Sequence, residues 1–398
     1  MPLRFAPVKT RLALLASALL LAVPFLEAPP AKPAAPGRTT VAPQVVVGAP
    51  QVSARAYLVQ NGSTGEVLLA SRARAHLPIA SITKLMTVLV ALQHARLDDA
   101  VTVSGRAAEV GESSINLRPG ERLTVRDLVE AALIQSANDA AVALAEHVGG
   151  SQPAFVAMMN AEAQKLGLRD THFANPDGLD APGHYSSARD VTRLARIAMR
   201  DAVIRSVVGR SRATIAGGRV LTTWNDLLTR FPGLFGVKTG HTGAAGWSEV
   251  AAARAHGVTI YATLLGGATR EGRNADLAAL LVWGLSRYRT VDLVTTRRVY
   301  ATADAPYGRR ALALVAAGPL SRIVRVGRPL VEQVVAPSVI SLPVARGEQI
   351  GEVRVYASGR LVASRPLVAS RSIAKPGMVG RSEWYLGQAA HHVWSWVS

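Results

Sequence analysis

The spacing of apolar residues in the first half of the chain predicts a hairpin followed by several helices. AYLVQ (56–60) and VLLA (67–70) alternate like strands and flank the turn signal NGSTGE. Apolar positions then recur at helical spacing. They do so in four segments, the first of which opens at Ser81: 81–95, 124–148, 153–168 and 186–201. Gly167 is a suitable C-terminal cap for the third of these helices.

After Val237 the period changes to that of strands. WSEVAAAR (247–254) and VTIYATLLGG (258–267) read as two strands joined at His256-Gly257, and ADLAALLVWGLSRY (275–288) reads as a helix. An early hairpin, central helices, late strands and a last helix make an α+β order. We expect the first and last segments to share one antiparallel sheet.

The C-terminal third has a different texture, with short β-branched runs separated by glycine and proline. We interpret 291–372 as a small separate β domain, in which 351–368 forms a hairpin at Ser358-Gly359. The tail, 373–398, is rich in tryptophan. Four apolar residues of the tail fit one helical face, which either associates with a membrane or docks on the protein itself: Trp384, Val393, Trp394 and Val397.

The N-terminus has the layout of an export signal. Arg4, Lys9 and Arg11 precede an apolar run of 15 residues, 12–26. The run is short for a membrane-spanning helix. Residues 1–28 are therefore predicted to be a signal peptide or an N-terminal anchor, 29–50 a Pro/Ala-rich linker, and 51–290 the catalytic domain.

Composition narrows the function classes. The chain has 398 residues, no cysteine and a formal net charge of +18. The absence of cysteine excludes disulfides, a thiolate nucleophile and cysteine-based metal sites. Only six of the basic residues are lysines. Arginine is scattered without any nucleic-acid-binding motif, so we expect a protein that works near anionic lipids or wall polymers and does not bind nucleic acid.

Three short motifs indicate nucleophilic catalysis. Ser81 and Lys84, in IASITKLMT, stand at i and i+3, one above the other on a helix. A serine hydroxyl needs an adjacent base, and a lysine can serve only when burial lowers its pKa. Two further motifs follow in the order S-x-N and K-T-G: Ser136 and Asn138, then Lys238, Thr239 and Gly240. Serine β-lactamases and penicillin-binding proteins share this trio.

These motifs make the sequence resemble the low-molecular-mass penicillin-binding proteins, which are D-alanyl-D-alanine carboxypeptidases of the serine peptidase class. The resemblance covers roughly 51–372 and includes PIASITKLMT, NPDGLDAPGHYSSARDV, KTGHTGAAG and PVARGEQIGEVRVY. It implies a β-lactamase/DD-peptidase-like α+β fold, an antiparallel sheet with helices, followed by a small all-β domain. One departure is Ala137, where these carboxypeptidases commonly have glycine.

The resemblance also implies roles. Ser81 would attack the carbonyl between two D-alanines, with Lys84 as its base. Ser136 would relay a proton toward the leaving amine, and Asn138 would hold Lys84 and the substrate amide. Lys238 and Thr239 would bind the terminal carboxylate of the substrate, and Gly240 would leave room for the substrate along the strand. The backbone N–H groups of Ser81 and His241 would hold the oxyanion. Asn175 to Leu179, His184 and Asp190 would support the site structurally.

The implied partners are peptidoglycan stem peptides ending in D-Ala-D-Ala and β-lactams as covalent inhibitors. Peripheral membrane contact is expected as well. No cofactor or metal is expected. The implied location is the cell envelope, at the outer face of the cytoplasmic membrane.

Three alternatives stay open on the sequence. A D,D-endopeptidase uses the same machinery on cross-links. A secreted β-lactamase would need a deacylating glutamate in an E-x-x-L-N loop, and Glu146 and Glu162 lack that context. A non-catalytic recognition module would have lost the serine or the lysine, and both are present.

Overall fold

The computed structural model describes residues 38–40 and 48–394, with side chains of the last helix as far as residue 387. The strands are β1 Arg38–Thr40, β2 Ala56–Asn61, β3 Val67–Ser71, β4 Ala100–Thr102, β5 Arg122–Thr124, β6 Arg212–Ile215, β7 Arg219–Thr222, β8 Leu234–Thr242, β9 Gly246–Ala255, β10 Val258–Gly267, β11 Tyr288–Val294, β12 Val299–Ala303, β13 Leu312–Ala316, β14 Leu320–Arg325, β15 Leu330–Val335, β16 Gln349–Ala357 and β17 Arg360–Ala369. The helices are α1 Lys84–His94, α2 Gly105–Ala108, α3 Val125–Glu130, α4 Asn138–Gly149, α5 Gln152–Lys165, α6 Ala188–Ala198, α7 Ala202–Val208, α8 Arg270–Ser286 and α9 Met378–Trp394.

A five-stranded antiparallel sheet has the order β3-β2-β10-β9-β8. The predicted first hairpin therefore pairs with the late strands, as expected. Alternate residues of β9 and β10 face opposite sides. Ala251 and Ile260 pack under α8, whereas Val250 and Tyr261 face the helical core. Because both faces are covered, the two central strands are almost continuously buried.

The helical core forms around α1 and α4, whose residues are mostly buried. Polar caps define where several neighbouring helices begin. The side chain of Ser187 accepts a hydrogen bond from the N–H of Asp190 at the start of α6, and Thr124 and Asp127 form a capping box on α3. Phe155 of α5 and Phe173 fill the space behind α1 and α4 with no exposed surface.

Two predicted helices are interrupted, both at the motifs. The predicted continuous helix over 124–148 is wrong: it passes through a π-helical turn, Ala131–Gln135, and breaks at Ser136, whose φ is +67°. Apolar residues continue at helical spacing through this break, so the sequence pattern did not indicate it. Ser81 does not open the α-helix either. It lies in a 3₁₀ turn, Ala80–Thr83, and α1 begins at Lys84.

The C-terminal region has its own apolar cluster, which includes Leu314, Val353 and Leu367. A six-stranded antiparallel sheet surrounds it in the order β1-β15-β16-β17-β13-β12, and β11 pairs with β14. The predicted hairpin at Ser358-Gly359 is confirmed as β16–β17. Arg38–Thr40 pairs with β15, so at least these three residues of the predicted linker are a strand.

The ends of the chain are only partly described. The predicted signal segment, 1–28, lies outside the described residues. So do Val397 and the side chains of Val393 and Trp394. Trp384 of α9 lies in ring contact with Tyr307, with centroids 5.5 Å apart, so this tryptophan docks on the protein itself. Within residues 38–40 and 48–394, no helix combines the length and apolar character that crossing a bilayer requires.

Candidate active site

The structure brings Ser81 and Lys84 together in the interior. Lys84 has no exposed surface, and its Nζ lies 2.8 Å from Ser81 Oγ. The same amine lies 2.6 Å from Asn138 Oδ1 and 2.6 Å from the carbonyl oxygen of Asp177. Burial lowers the pKa of Lys84 to about 8, because the ammonium loses its hydration, although nearby carboxylates such as Asp177 raise it.

The helix break at Ser136 positions the second motif. The left-handed backbone of Ser136 turns the chain so that Asn138 begins α4. Asn138 Nδ2 donates to the carbonyl oxygen of Gly111 at 2.9 Å, which fixes Oδ1 toward Lys84. Asn138 therefore contacts the Ser81–Lys84 pair, and Ser136 lines the same cleft as Ser81.

The sequence pattern had placed the third motif at the start of a strand. It lies instead inside β8. Lys238 is buried, and its Nζ donates to Ser136 Oγ at 2.8 Å and to the carbonyl oxygen of Thr239 at 3.0 Å. Burial first, and then the charge of Lys84, lower the pKa of Lys238 well below its usual value. Three motifs separated by more than 150 residues of sequence thus converge through direct hydrogen bonds.

Two glycines hold the serine turn from opposite sides. A Cβ on Gly178, whose φ is +90°, would lie 2.0 Å from the carbonyl oxygen of Ala80. A Cβ on Gly240 would lie 2.7 Å from the carbonyl oxygen of Ile79. Gly240 is therefore required by the close approach of β8 to the serine turn, a reason that the sequence did not indicate.

The segment around residues 175–190 supports the turn from behind, as expected. Asn175 Oδ1 accepts from the N–H of Gly178 at 2.7 Å. His184 Nδ1 accepts from the N–H of Ala174, so its Nε2 donates to Thr83 Oγ1 at 2.8 Å. Burial lowers the pKa of His184 to about 4. Asp190 caps the neighbouring backbone by accepting from the N–H of Asp170 at 2.7 Å.

An open cleft runs over these groups. Its lining includes the predicted Ser81, Ser136, Thr239, Gly240 and His241, together with five residues that the sequence reasoning missed: Glu112, Ser113, Trp224, Trp247 and Arg273. His241 stacks on Trp247 with centroids 4.0 Å apart. The missed residues come from distant segments with no motif of their own. The acid directly after Asn138 was missed as well: Asp139 accepts from the N–H groups of Ile115 and Leu117 and so orders the Ser113 side of the cleft.

Comparison with known proteins agrees with this geometry. The family profile described as D-alanyl-D-alanine carboxypeptidase, peptidase S11, matches residues 43–269. The chain is 31% identical over 339 residues to D-alanyl-D-alanine carboxypeptidase DacF of Bacillus subtilis, covering 82% of this chain and 87% of that protein. It is 30% identical over 383 residues to the carboxypeptidase DacC of Escherichia coli, covering 90% and 94%.

Solved structures agree as well. Penicillin binding protein 5 from Haemophilus influenzae aligns with a TM-score of 0.61 at 28% identity, covering 83% of this chain and 100% of that chain. The Streptomyces K15 DD-transpeptidase aligns with a TM-score of 0.57 at 30% identity over 60% of this chain and 100% of its own. The predicted DD-peptidase-like α+β fold and enzyme class are confirmed, and the chain belongs to the D-alanyl-D-alanine carboxypeptidase family, peptidase S11.

Proposed function

We propose that the protein removes the terminal D-alanine from peptidoglycan stem peptides through an acyl-Ser81 intermediate, with neutral Lys84 as the base. The observation that carries this proposal is the surroundings of Lys84 Nζ. Two of its three neighbours, Asn138 Oδ1 and the carbonyl oxygen of Asp177, can only accept hydrogen bonds. A neutral amine donates its two N–H groups to them and keeps its lone pair for the hydroxyl proton of Ser81, 2.8 Å away.

Acylation follows from this arrangement. The proton moves from Ser81 Oγ to Lys84 Nζ as Oγ attacks the carbonyl carbon of the scissile bond. The scissile C–N bond then breaks as Ser136 relays this proton: its hydroxyl gives a proton to the departing amine and takes one from Lys84 Nζ, which becomes neutral again. The hydrogen bond from Lys238 Nζ holds Ser136 Oγ in place for this step. Water then attacks the acyl-serine carbonyl carbon and gives a proton to Lys84, the ester bond breaks, and Ser81 Oγ takes that proton back as the shortened peptide leaves.

Charge recognition defines which end of the substrate enters the cleft. Lys238 and Thr239 bind the terminal carboxylate, for which a cation and a hydroxyl are suitable donors. The oxyanion is held by the backbone N–H groups of Ser81 and His241, which stabilise the charge as it develops. Asn138 orients both Lys84 and the substrate amide. A β-lactam carries a carboxylate and a reactive carbonyl in a comparable arrangement and acylates the same serine.

Membership of this family implies an exported protein with peptide substrates. The finer proposal is that it works at the outer face of the cytoplasmic membrane, with α9 in contact with lipid. Met378, Val379 and Leu386 support this, since they expose large apolar side chains on α9. A Leu386→Glu variant should lose co-sedimentation with anionic phospholipid vesicles. Val282→Glu, which alters an exposed apolar residue of α8, should retain it.

The decisive experiment measures D-alanine release from diacetyl-L-Lys-D-Ala-D-Ala and, in parallel, the intact mass after brief exposure to benzylpenicillin. The expected result is release of D-alanine and a long-lived adduct that peptide mapping places on Ser81. Ser81→Ala should abolish both, whereas Ser63→Ala, on the exposed β2–β3 turn, should change neither.

Other outcomes would overturn the proposal. Rapid penicillin turnover without an adduct would indicate a β-lactamase. Cleavage of cross-linked muropeptides without release of terminal D-alanine would indicate an endopeptidase.

A further inference from the structure

A buried carboxylate that the proposed reaction does not use lies behind the K-T-G strand. Glu249 of β9 has no exposed surface and stands directly opposite Thr239 of β8 in the sheet. Residues opposite each other on neighbouring strands point to the same face. Neither carboxylate oxygen of Glu249 accepts a hydrogen bond from another described residue. Such a carboxylate is costly to keep ionised unless a cation faces it.

Arg273 of α8 is that cation. Its Nε lies 3.2 Å from Glu249 Oε2, and the arginine is itself 1% exposed. The guanidinium also bonds Asn274 Oδ1 at 2.6 Å and lies over the ring of Trp247, 5.7 Å from its centroid. Arg273 nevertheless lines the cleft together with Thr239. It therefore connects the buried Glu249 to the end of the cleft where the substrate carboxylate binds.

The charged groups around Glu249 come from three elements. Arg273 faces it from α8, Lys238 from β8, and Asp226 from the 3₁₀ turn Asp226–Leu228, while β10 places apolar Leu264 opposite it. Burial raises the pKa of Glu249 to about 7, although Arg273 and Lys238 lower it and Asp226 raises it. The carboxyl group is thus poised to change its charge near neutral pH.

We propose that Glu249 is a positioning residue which acts, beside Asp226 (Oδ2 at 3.3 Å from the guanidinium), as an internal counter-ion of Arg273 and takes up a proton from solution when a carboxylate-bearing ligand binds. The inference deepens, and rests on, the proposed carboxylate recognition by Lys238 and Thr239. A ligand carboxylate arriving at this end of the cleft places a second anion near Arg273. Repulsion between the two anions favours the neutral form of Glu249, so ligand binding and protonation of Glu249 assist each other.

The sign of the pH effect follows from this linkage. Below pH 7 Glu249 is already protonated, and the positive field of Arg273 and Lys238 is available to the ligand. Above pH 7 the ligand must draw in a proton to bind equally well, so the affinity for carboxylates falls as pH rises. An interaction worth one pKa unit changes that affinity about tenfold.

The test compares acylation of the full chain by benzylpenicillin and by its methyl ester, which lacks the carboxylate. The second-order acylation rate constants are measured between pH 5.5 and 9. Ionisation of Lys84 affects both compounds equally, so their ratio isolates carboxylate binding. We expect the ratio of acid to ester to fall about tenfold as pH rises through 7. In Glu249→Gln the fall near pH 7 should disappear.

Glu162→Gln is the matched control, since Glu162 is also buried but lies on α5 beside Lys165 and Gln93. It should keep the wild-type profile. A purely structural role of Glu249 would lower both rates without changing the pH dependence of their ratio. A flat wild-type ratio, or an unchanged fall in Glu249→Gln, would overturn the inference even if one variant folds poorly. Failure of both compounds to acylate Ser81 would instead refute the proposed function.

Discussion

The catalytic region buries several charged side chains, whereas the C-terminal region keeps its charged side chains at the surface. The first buries Lys84, Lys238, Glu249 and Arg273 beneath one cleft. In the second, no polar or charged residue among those described beyond Arg273 is buried, and its ion pairs lie at the surface, as between Arg354 and Glu352. Both regions have apolar cores of ordinary composition. The two regions therefore differ in whether charged side chains are buried beside the apolar core.

Burial away from water shifts the pKa of a charged side chain and so can make the side chain reactive at neutral pH. Burial lowers the pKa of Lys84 to about 8, which leaves a useful fraction of free amine at neutral pH. The pair of Arg354 and Glu352 at the surface only reinforces the charged state of each partner: Arg354 lowers the pKa of Glu352, and Glu352 raises the pKa of Arg354. The comparison predicts that substitutions in the first region change reactivity, whereas similar substitutions in the second do not.

The largest effect is expected for Lys84→Met, which keeps an unbranched apolar side chain in the buried position but removes the proposed base. The acylation rate with benzylpenicillin should fall by roughly a thousandfold, the usual scale for loss of a general base. Arg354→Met is the control in the C-terminal region and should leave acylation unchanged. Equal losses in the two variants would contradict the contrast between the regions. Stopped-flow kinetics provides the rates.

The pH profile should reveal the neutral form of Lys84. The proposed base is the free amine, so acylation should fall by up to tenfold per pH unit below the lysine pKa of about 8. From pH 8, where half of the lysine is neutral, to pH 6 the loss is about fiftyfold. The methyl ester of benzylpenicillin is the preferred reagent, because it excludes carboxylate binding. A constant rate across this range would identify a different base.

A pair of glycines with similar backbones sharpens the contrast in packing. Gly178 (φ +90°) lies against Ala80, whereas Gly359 (φ +76°), in the β16–β17 turn, has nothing within 4 Å of the position that a Cβ would take. Gly359→Ala should cost about 1 kcal/mol, the strain of a left-handed alanine. Gly178→Ala should cost about 3 kcal/mol, because overlap is added to that strain. Urea unfolding measures both. Equal costs would show that the serine turn can shift.

The last expected effect concerns His184 and the pH dependence of stability. Its pKa is about 4 when folded, below the 6.5 of an unperturbed histidine. The unfolded chain therefore binds more protons between these values, and stability is lost as pH falls from 6.5 toward 4. The loss attributable to His184 is about 3 kcal/mol. His184→Gln should be less stable at pH 7 but should lose less on acidification. Identical pH slopes in calorimetry would exclude this contribution.

The sequence predicted those parts of the site that local spacing determines. An i, i+3 relation was sufficient to bring Ser81 and Lys84 together, and the 3₁₀ turn preserved it. The order of the elements, an early hairpin before central helices and late strands, likewise predicted that the first and last segments share one sheet. Both the local spacing and the order of elements can be read from a single sequence.

Residues that reach the cleft across the fold escaped prediction. Arg273 looks like an ordinary polar residue at the start of a helix, and Trp224 lies in a loop without regular spacing. Glu249 carried a signal that could have been used, since it is the one acid in a mostly apolar strand. The left-handed turn at Ser136 was hidden because apolar residues continue at helical spacing through it.

Gly240 has a consequence for evolution under antibiotic pressure. Every single-base change that replaces a glycine with another residue introduces a Cβ, and here that atom would lie 2.7 Å from the carbonyl oxygen of Ile79, just before the nucleophile. We therefore expect each one-step replacement to displace the serine turn and to impair acylation by a β-lactam and by the natural peptide alike. Under the proposed function, escape from β-lactams at this position would then coincide with loss of the enzyme's activity.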